Sequence, residues 1–346
     1  MTIPIENIYY LLSYSWNMLD EKNRVNVATA GMTKLIDLLA KVLVNSTRLI
    51  LKRGLEQSYV ECETAVAGLK GKLLVSETLK SNTFNRYKTL CRFDEFSPDV
   101  LMNQVLLTTL RKLMFIRTLD RKLREDIRNL ICMFPEIRQI EITKSVFSRI
   151  RFTRNNRFYN FVLNVCELIN ENLLPSENRG EWLFSDFTRD EVKMYRLFES
   201  FVFNFYRIEF KGEYTVRRES ISWQFEFDDP EHSAFIPGML TDITLENTER
   251  KIIIDTKYYQ DTLAERFERK KVRSANLYQL FSYLLNQERE SERNRNTTGI
   301  LLYPTIEQDY DLDFRYENHD IHIRTVNLNR NWTKIDTRLQ EIVSMN

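Results

Sequence analysis

An α/β (α+β) chain in two domains is the architecture this sequence predicts, on three observations. Stretches with apolar residues at helical spacing alternate with short strand-like stretches along the whole chain. "PSENRGEW" (175–182) gathers Pro, Ser, Asn and Gly and reads as a linker, which divides the chain into domains 1–180 and 181–346. "KIIIDTK" (251–257) places three isoleucines in a row, the mark of a strand covered on both faces. With 346 residues, 43% of them hydrophobic, the chain can bury a substantial core.

Each element follows in order. Leu35, Leu38, Leu39, Val42, Leu43 and Leu49 recur at three- and four-residue steps and predict a helix over 33–53. After Gly54 the pattern turns to strand: "SYVECETAV" (58–66) alternates, "GLKGKLLV" (68–75) supplies a turn and a second strand, and "YKTLCRFDEF" (87–96) a third. Helices return at about 99–117 and 119–133, with Asp99 as the expected cap and Pro135 as the stop. "KSVFSRIRFTRNNRFYNF" (144–161) carries Lys144, Arg149, Arg151, Arg154 and Arg157 among aromatics and no acid. Such a stretch can track a phosphate backbone, or it is a solvated approach to the helix at 157–173. The second domain runs helix (about 189–209), strands (213–227), hairpin (239–259), helix (about 266–288), strand (298–303), two strands (311–327) and a terminal helix from about 333.

Composition removes several classes. Fifty basic residues nearly cancel 49 acidic ones, leaving a formal charge of +1, so any nucleic-acid surface must be local. Cys62, Cys91, Cys132 and Cys166 lie far apart without a CxxC pair and read as reduced thiols. Of His232, His319 and His322, only the last two are near each other, too few for a Cys/His metal cluster. "MTIPIENIYYLLSYSWNML" lacks a basic n-region, and "LIDLLAKVLV" (35–44) is too short to span a bilayer. A cytoplasmic protein without a membrane association is expected.

The chemistry concentrates in "TDITLENTERKIIIDTKYY" (241–259). Residues two apart in a strand share a face, so Asp255 and Lys257 project together with Ile253. A short turn brings Asp242 of the partner strand toward their level. Two close carboxylates repel unless a proton or cation lies between them. Mg2+ suits Asp242, Asp255 and the backbone carbonyl of Thr256, with Lys257 orienting an attacking water or stabilising developing charge. The competing reading is a cross-strand salt bridge on an exposed sheet edge. Glu199 sits within the apolar helix "EVKMYRLFESFVFNFYRIEF" (191–210), on a narrow exposed stripe or aimed into a site. Asn276, Gln279 and Tyr283 align on one stripe of the helix "NLYQLFSYLL" (276–285), where Gln279 and Tyr283 could bond a phosphate or the metal ligands.

Glu199, Asp242, Asp255-Thr256-Lys257 and the Gln279-xxx-Tyr283 helix, with "GILLYP" (299–304) behind them, resemble the PD-(D/E)xK nucleases in their RecB-like variety. Thr241 stands where that pattern often has proline. "IPIENIYYLLSYSW" (3–16), "LKGKLLV" (69–75), "DEFSPDVLMNQVL" (94–106) and "LFESFVFNFY" (197–206) are similar to the McrC family, nuclease subunits of McrBC modification-dependent restriction systems. The resemblance implies a PD-(D/E)xK domain with a mixed central sheet flanked by helices, and Glu199 as a further metal contact through water. It also implies an endodeoxyribonuclease that cuts methylated double-stranded DNA with Mg2+ and stimulates an McrB-like AAA+ GTPase ring. No GxxxxGK[ST] loop is present and "GLKGKL" has the wrong spacing, so GTP is expected on the partner. Residues 1–180 would dock the partner, with 57–95 as a β-rich projection; a small core sheet is the other reading of those strands. Two other functions stay open: a catalytically silent GTPase-activating adaptor, and a stand-alone repair or RNA nuclease of the same fold.

Overall fold

The computed structural model describes residues 3–16, 34–81, 87–153, 156–176, 181–226, 230–259, 272–289, 291–307 and 309–344. Two compact units divide the chain, one of Met1–Met32 with Asp186–Asn346, the other Thr33–Ser185. The expected boundary at 180/181 is therefore displaced in two ways. The chain crosses between units at 185/186, because strands β4 (Leu173–Pro175) and β5 (Trp182–Phe184) pair across the polar stretch. In addition, helix α1 (Ile5–Ser15) folds with the C-terminal unit.

In the 33–185 unit, helix α2 (Leu35–Arg53) buries the leucine face read from its periodicity. Strand β1 (Ser58–Val66) pairs antiparallel with β3 (Thr89–Ser97), from Ser58 opposite Ser97 to Val66 opposite Thr89. Short β2 (Lys72–Leu73) lies on the other side of β3, and α3 (Val75–Lys80) follows it. The helices are completed by α4 (Leu101–Met114), α5 (Arg121–Ile131), α6 (Lys144–Ser148) and α7 (Arg157–Glu171). Asp120 caps α5 through the Leu123 amide. Asp99 does not cap α4; its carboxylate receives Gln104 Nε2 and the Arg138 side chain and amide instead. The sheet is rooted by polar contacts: Tyr159 Oη accepts from the Glu56 amide at 3.0 Å and donates to Asn103 Oδ1 at 2.7 Å, while Asn103 Nδ2 reaches the Glu56 carbonyl. Most of β1 and β2 is exposed, with Tyr59 and Phe96 facing each other across the ribbon at 5.3 Å between ring centroids. Of the expected basic stretch, Arg154 and the Arg157 side chain lie outside the described residues, as do 82–86 of the projection and 177–180 of the linker.

The other unit is built on a six-stranded mixed sheet in the order β12-β13-β11-β10-β9-β6. Its strands are β6 (Thr215–Arg217), β9 (Ile243–Glu246), β10 (Lys251–Thr256), β11 (Thr298–Thr305), β12 (Asp311–Tyr316) and β13 (His319–Asn327). β10 runs parallel to β11 and antiparallel to β9, so it sits inside the sheet with all six residues buried. That placement removes the exposed-edge reading of "KIIIDTK". A separate two-stranded ribbon pairs β7 (Ser220–Ile221) with β8 (Met239–Leu240). Helix α8 (Glu191–Glu209) is capped by Asp190 and buries Leu197, Phe198, Phe201, Val202 and Phe205. Helix α9 (Ser274–Glu288) covers the face carrying Ile253, through Leu280, Tyr283 and Leu284. Gly299 makes this approach close, since a Cβ there would stand 2.9 Å from Leu284 Cδ1. Residues 266–271 of the expected helix lie outside the described residues.

Helix α10 (Trp332–Ser344) closes the unit, and α1 packs beside it. Tyr10 and Tyr14 lie 5.5 and 5.6 Å from Phe201 of α8. Asn7 Nδ2 donates to the carbonyls of Leu328 and Arg330 at 2.7 and 2.6 Å. Among the described residues no helix is long and apolar enough to cross a membrane.

Candidate active site

Strand alternation puts Lys251, Ile253, Asp255 and Lys257 on one face of β10 and its extension. Lys257 Nζ stands 2.6 Å from Asp255 Oδ2, and the Lys257 amide donates to the Leu302 carbonyl at 2.9 Å, continuing the ladder past β10. Asp255 is fully buried at 0% exposure. Lys257 is its ion-pair partner at Oδ2, and Asp255 Oδ1 receives no hydrogen bond among the described residues. Burial, together with the nearby Asp242 and Glu199, outweighs Lys257 and pushes the Asp255 carboxyl up to about 7.

Asp242 reaches the same place by a break, where the sequence reading placed a continuous strand. β8 stops at Leu240 and β9 starts at Ile243, leaving Thr241 and Asp242 as a bend between two different sheets. The bend is held by Thr241, whose amide donates to the Glu219 carbonyl and whose Oγ1 accepts from the Glu219 amide, both at 2.9 Å. Asp242 Oδ2 then accepts from the Thr256 amide at 2.8 Å and from Thr256 Oγ1 at 2.9 Å. The carboxylate is thereby docked on the residue that follows Asp255.

The two helices supply the remaining groups. On α9, Gln279 Oε1 accepts from Lys257 Nζ at 3.1 Å, its Nε2 donates to Tyr283 Oη at 2.7 Å, and Tyr283 donates to the Leu240 carbonyl at 3.0 Å. Burial pushes the Tyr283 hydroxyl up to about 12, so it stays a neutral donor. Asn276, one turn earlier, bonds Tyr303 and Tyr259 and so belongs to the packing beside the site. On α8, Glu199 is half-buried, and burial with the Asp242 charge raises its carboxyl above the ordinary range, against the pull of Arg218 and Lys257.

Two groups were missed in the sequence. Arg218 Nη2 lies 2.5 Å from Glu199 Oε1. Tyr195 lies one helical turn before Glu199, and burial with Asp242, Glu199 and Asp255 nearby holds its hydroxyl well above its usual range. Tyr195 could have been found from the four-residue spacing to Glu199; Arg218, in an irregular connection, left no periodic signal.

The donor set suits a hard divalent cation: oxygens only, with the buried Asp255 Oδ1 receiving no hydrogen bond among the described residues. Among the described residues no three His, Cys, Asp or Glu side chains close into a ready metal cage, and Mg2+ does not demand one, since it keeps several waters. The arrangement therefore fits one or two carboxylates holding an ion beside a lysine.

A family profile for the McrBC 5-methylcytosine restriction system component matches residues 6–304. The type IV methyl-directed restriction enzyme EcoKMcrBC of Escherichia coli (strain K12) is 32% identical over 340 residues, covering 98% of this chain and 97% of that protein. In fold, the chain is similar to one from a refined half-complex of the tetradecameric assembly of Thermococcus gammatolerans McrB AAA+ hexamers with bound McrC. That match has a TM-score of 0.61 at 15% identity and covers 99% of this chain and 76% of the other. With a profile match over most of its length and a relative of this identity, the chain belongs to the family of McrBC 5-methylcytosine restriction system components.

Proposed function

We infer that this chain is the DNA-cutting subunit of a methylcytosine-dependent restriction complex, a PD-(D/E)xK endodeoxyribonuclease. One observation carries the reading: a fully buried carboxylate, Asp255, paired at one oxygen with Lys257, left without a hydrogen bond at Oδ1 among the described residues, and opposite Asp242. A buried acid so placed is costly unless a cation serves it, and a structural role would have supplied donors.

Asp242, Asp255 and the Thr256 carbonyl would hold Mg2+, with Glu199 reaching it through water; when bound, the ion supplies Lewis acidity and positive charge at the scissile phosphate. Lys257 is positioned by Asp255 and Gln279, and its ammonium can orient the attacking water and neutralise charge that develops as the P–O bond breaks. Gln279 is in turn held by Tyr283, which is anchored on the Leu240 carbonyl, so the ammonium is fixed in place before the reaction begins. The partner is an McrB-like AAA+ GTPase ring that binds the GTP. The 33–185 unit would dock it and stimulate its GTPase, with the exposed β1–β3 ribbon, rooted at Glu56, as the contacting projection.

The test mixes the purified chain with its GTPase, methylated duplex DNA, GTP and Mg2+, omitting each in turn. Cleavage is expected only in the full mixture, and D242A or D255A should abolish it while GTPase stimulation persists. Unchanged cleavage by D255A would remove the active site proposed here and leave a GTPase-activating adaptor. Cutting by the chain alone would indicate a stand-alone nuclease.

A further inference from the structure

Arg218 is an exposed cation of this acidic site, and its backbone is fixed on both sides. On one side Arg217 pairs with Thr244 in the β6–β9 ladder. On the other, the Glu219 amide and carbonyl are both bonded to Thr241, the residue before Asp242. Glu219 is itself held through its side chain by Lys251 and Arg217. The Arg218 side chain crosses to α8, where Nη2 meets Glu199 and the guanidinium lies 5.3 Å over the Phe203 ring.

Two features go beyond a surface ion pair. Nε and Nη1 of Arg218 make no hydrogen bond among the described residues, and the side chain is 43% exposed, so free donors face the solvent from which DNA must arrive. Lys257 serves the attacking water and the developing charge instead, its Nζ held by Asp255 and Gln279 and its side chain only 10% exposed. A planar guanidinium with unused donors is the group suited to a phosphate at such a place.

Resting on the nuclease reading above, we propose that Arg218 is the phosphate-binding residue of the cleavage site, gripping a non-bridging oxygen of the DNA phosphate to be cut while keeping its contact with Glu199. The test is single-turnover cleavage of methylated duplex DNA by the full chain with its GTPase, GTP and Mg2+. R218A should lower the rate by at least about tenfold, with thermal stability and GTPase stimulation unchanged. R218K, which keeps the charge and loses the fork, should recover only part of it. Raising the salt should narrow the gap between wild type and R218A. In an E199Q background R218A should lower the residual rate again, because the phosphate contact does not pass through Glu199. R218A cutting at the wild-type rate while D255A is inactive would overturn the phosphate role and leave the nuclease reading standing. R218A adding nothing in E199Q would overturn it too, reducing Arg218 to positioning Glu199. An active D255A would overturn the nuclease reading and this proposal together.

Discussion

Two charged clusters share one face of strand β10 and have been built on opposite principles. At its start, Lys251 reaches Glu219 at 2.9 Å, and Arg217 bridges Glu219 and Glu246 at 2.9 and 2.6 Å. Acids and bases are equal there. Burial works to raise the Glu219 carboxyl, but Lys251 and Arg217 outweigh it and hold it below the ordinary range. At the strand's end the balance is reversed among the described residues: acids exceed bases, and the most buried acid, paired with Lys257 at one oxygen, keeps Oδ1 without a hydrogen bond. The difference teaches that burial alone does not distinguish a structural charge from a chemical one. What distinguishes them is whether the protein itself completes the charge.

The sharpest way to break the comparison is cleavage. D255A or D242A should lower cutting by the assembled complex by about 10²-fold or more, since the loss falls on charge stabilisation at the phosphate. E219A should leave the site residues in place and act on stability instead. It strands Lys251 in a buried position, and denaturant unfolding should show a loss of about 3 kcal/mol. Cleavage measured at a temperature where E219A is folded should remain near wild type; a collapse to the D255A level would merge the two clusters into one.

The charge difference also sets opposite pH behaviour. Without a divalent ion, Asp255 keeps its proton up to about pH 7 in the folded chain, whereas the unfolded chain releases it near the ordinary carboxylate value. Between those values the folded state binds more protons, so this group lowers stability as pH rises through the window, with no further loss above it. The advantage of D255N over wild type should grow by about 2 kcal/mol between pH 5 and pH 8 in chelator, as unfolding curves at the two pH values would show. An equal difference at both would mean that Asp255 is ionised throughout. The smallest effects belong to the supports of Lys257. Q279A should slow cleavage by about tenfold at unchanged stability, and Y283F, which loses the bond to the Leu240 carbonyl, should cost about 1 kcal/mol of stability.

Much of the site was legible because it obeys short periods. Asp255 and Lys257 lie two apart on a strand, and Gln279 and Tyr283 four apart on a helix; spacing by itself assigns each pair to one face. The burial of β10 was legible in three consecutive isoleucines. What could not be read was set by contacts between distant segments. Asp242 was expected in a strand, yet it stands in a bend held by Thr241 and Glu219, twenty-two residues apart. Arg218 owes its place to that same pairing. The docking of α1 on the C-terminal unit depends on Asn7 meeting carbonyls more than three hundred residues away, and nothing local in "IPIENIYYLL" announces it.

That last contact bears on how the protein comes into being. Helix α1 is made more than three hundred residues before the carbonyls that Asn7 clasps, those of Leu328 and Arg330. The intervening 33–185 unit has its own internal contacts and can fold while α1 waits. A polypeptide interrupted between the two lacks the carbonyls on which helix α1 docks. The unit bearing the acidic site is thus closed by the meeting of two distant stretches of its chain, and its assembly waits until both have been made.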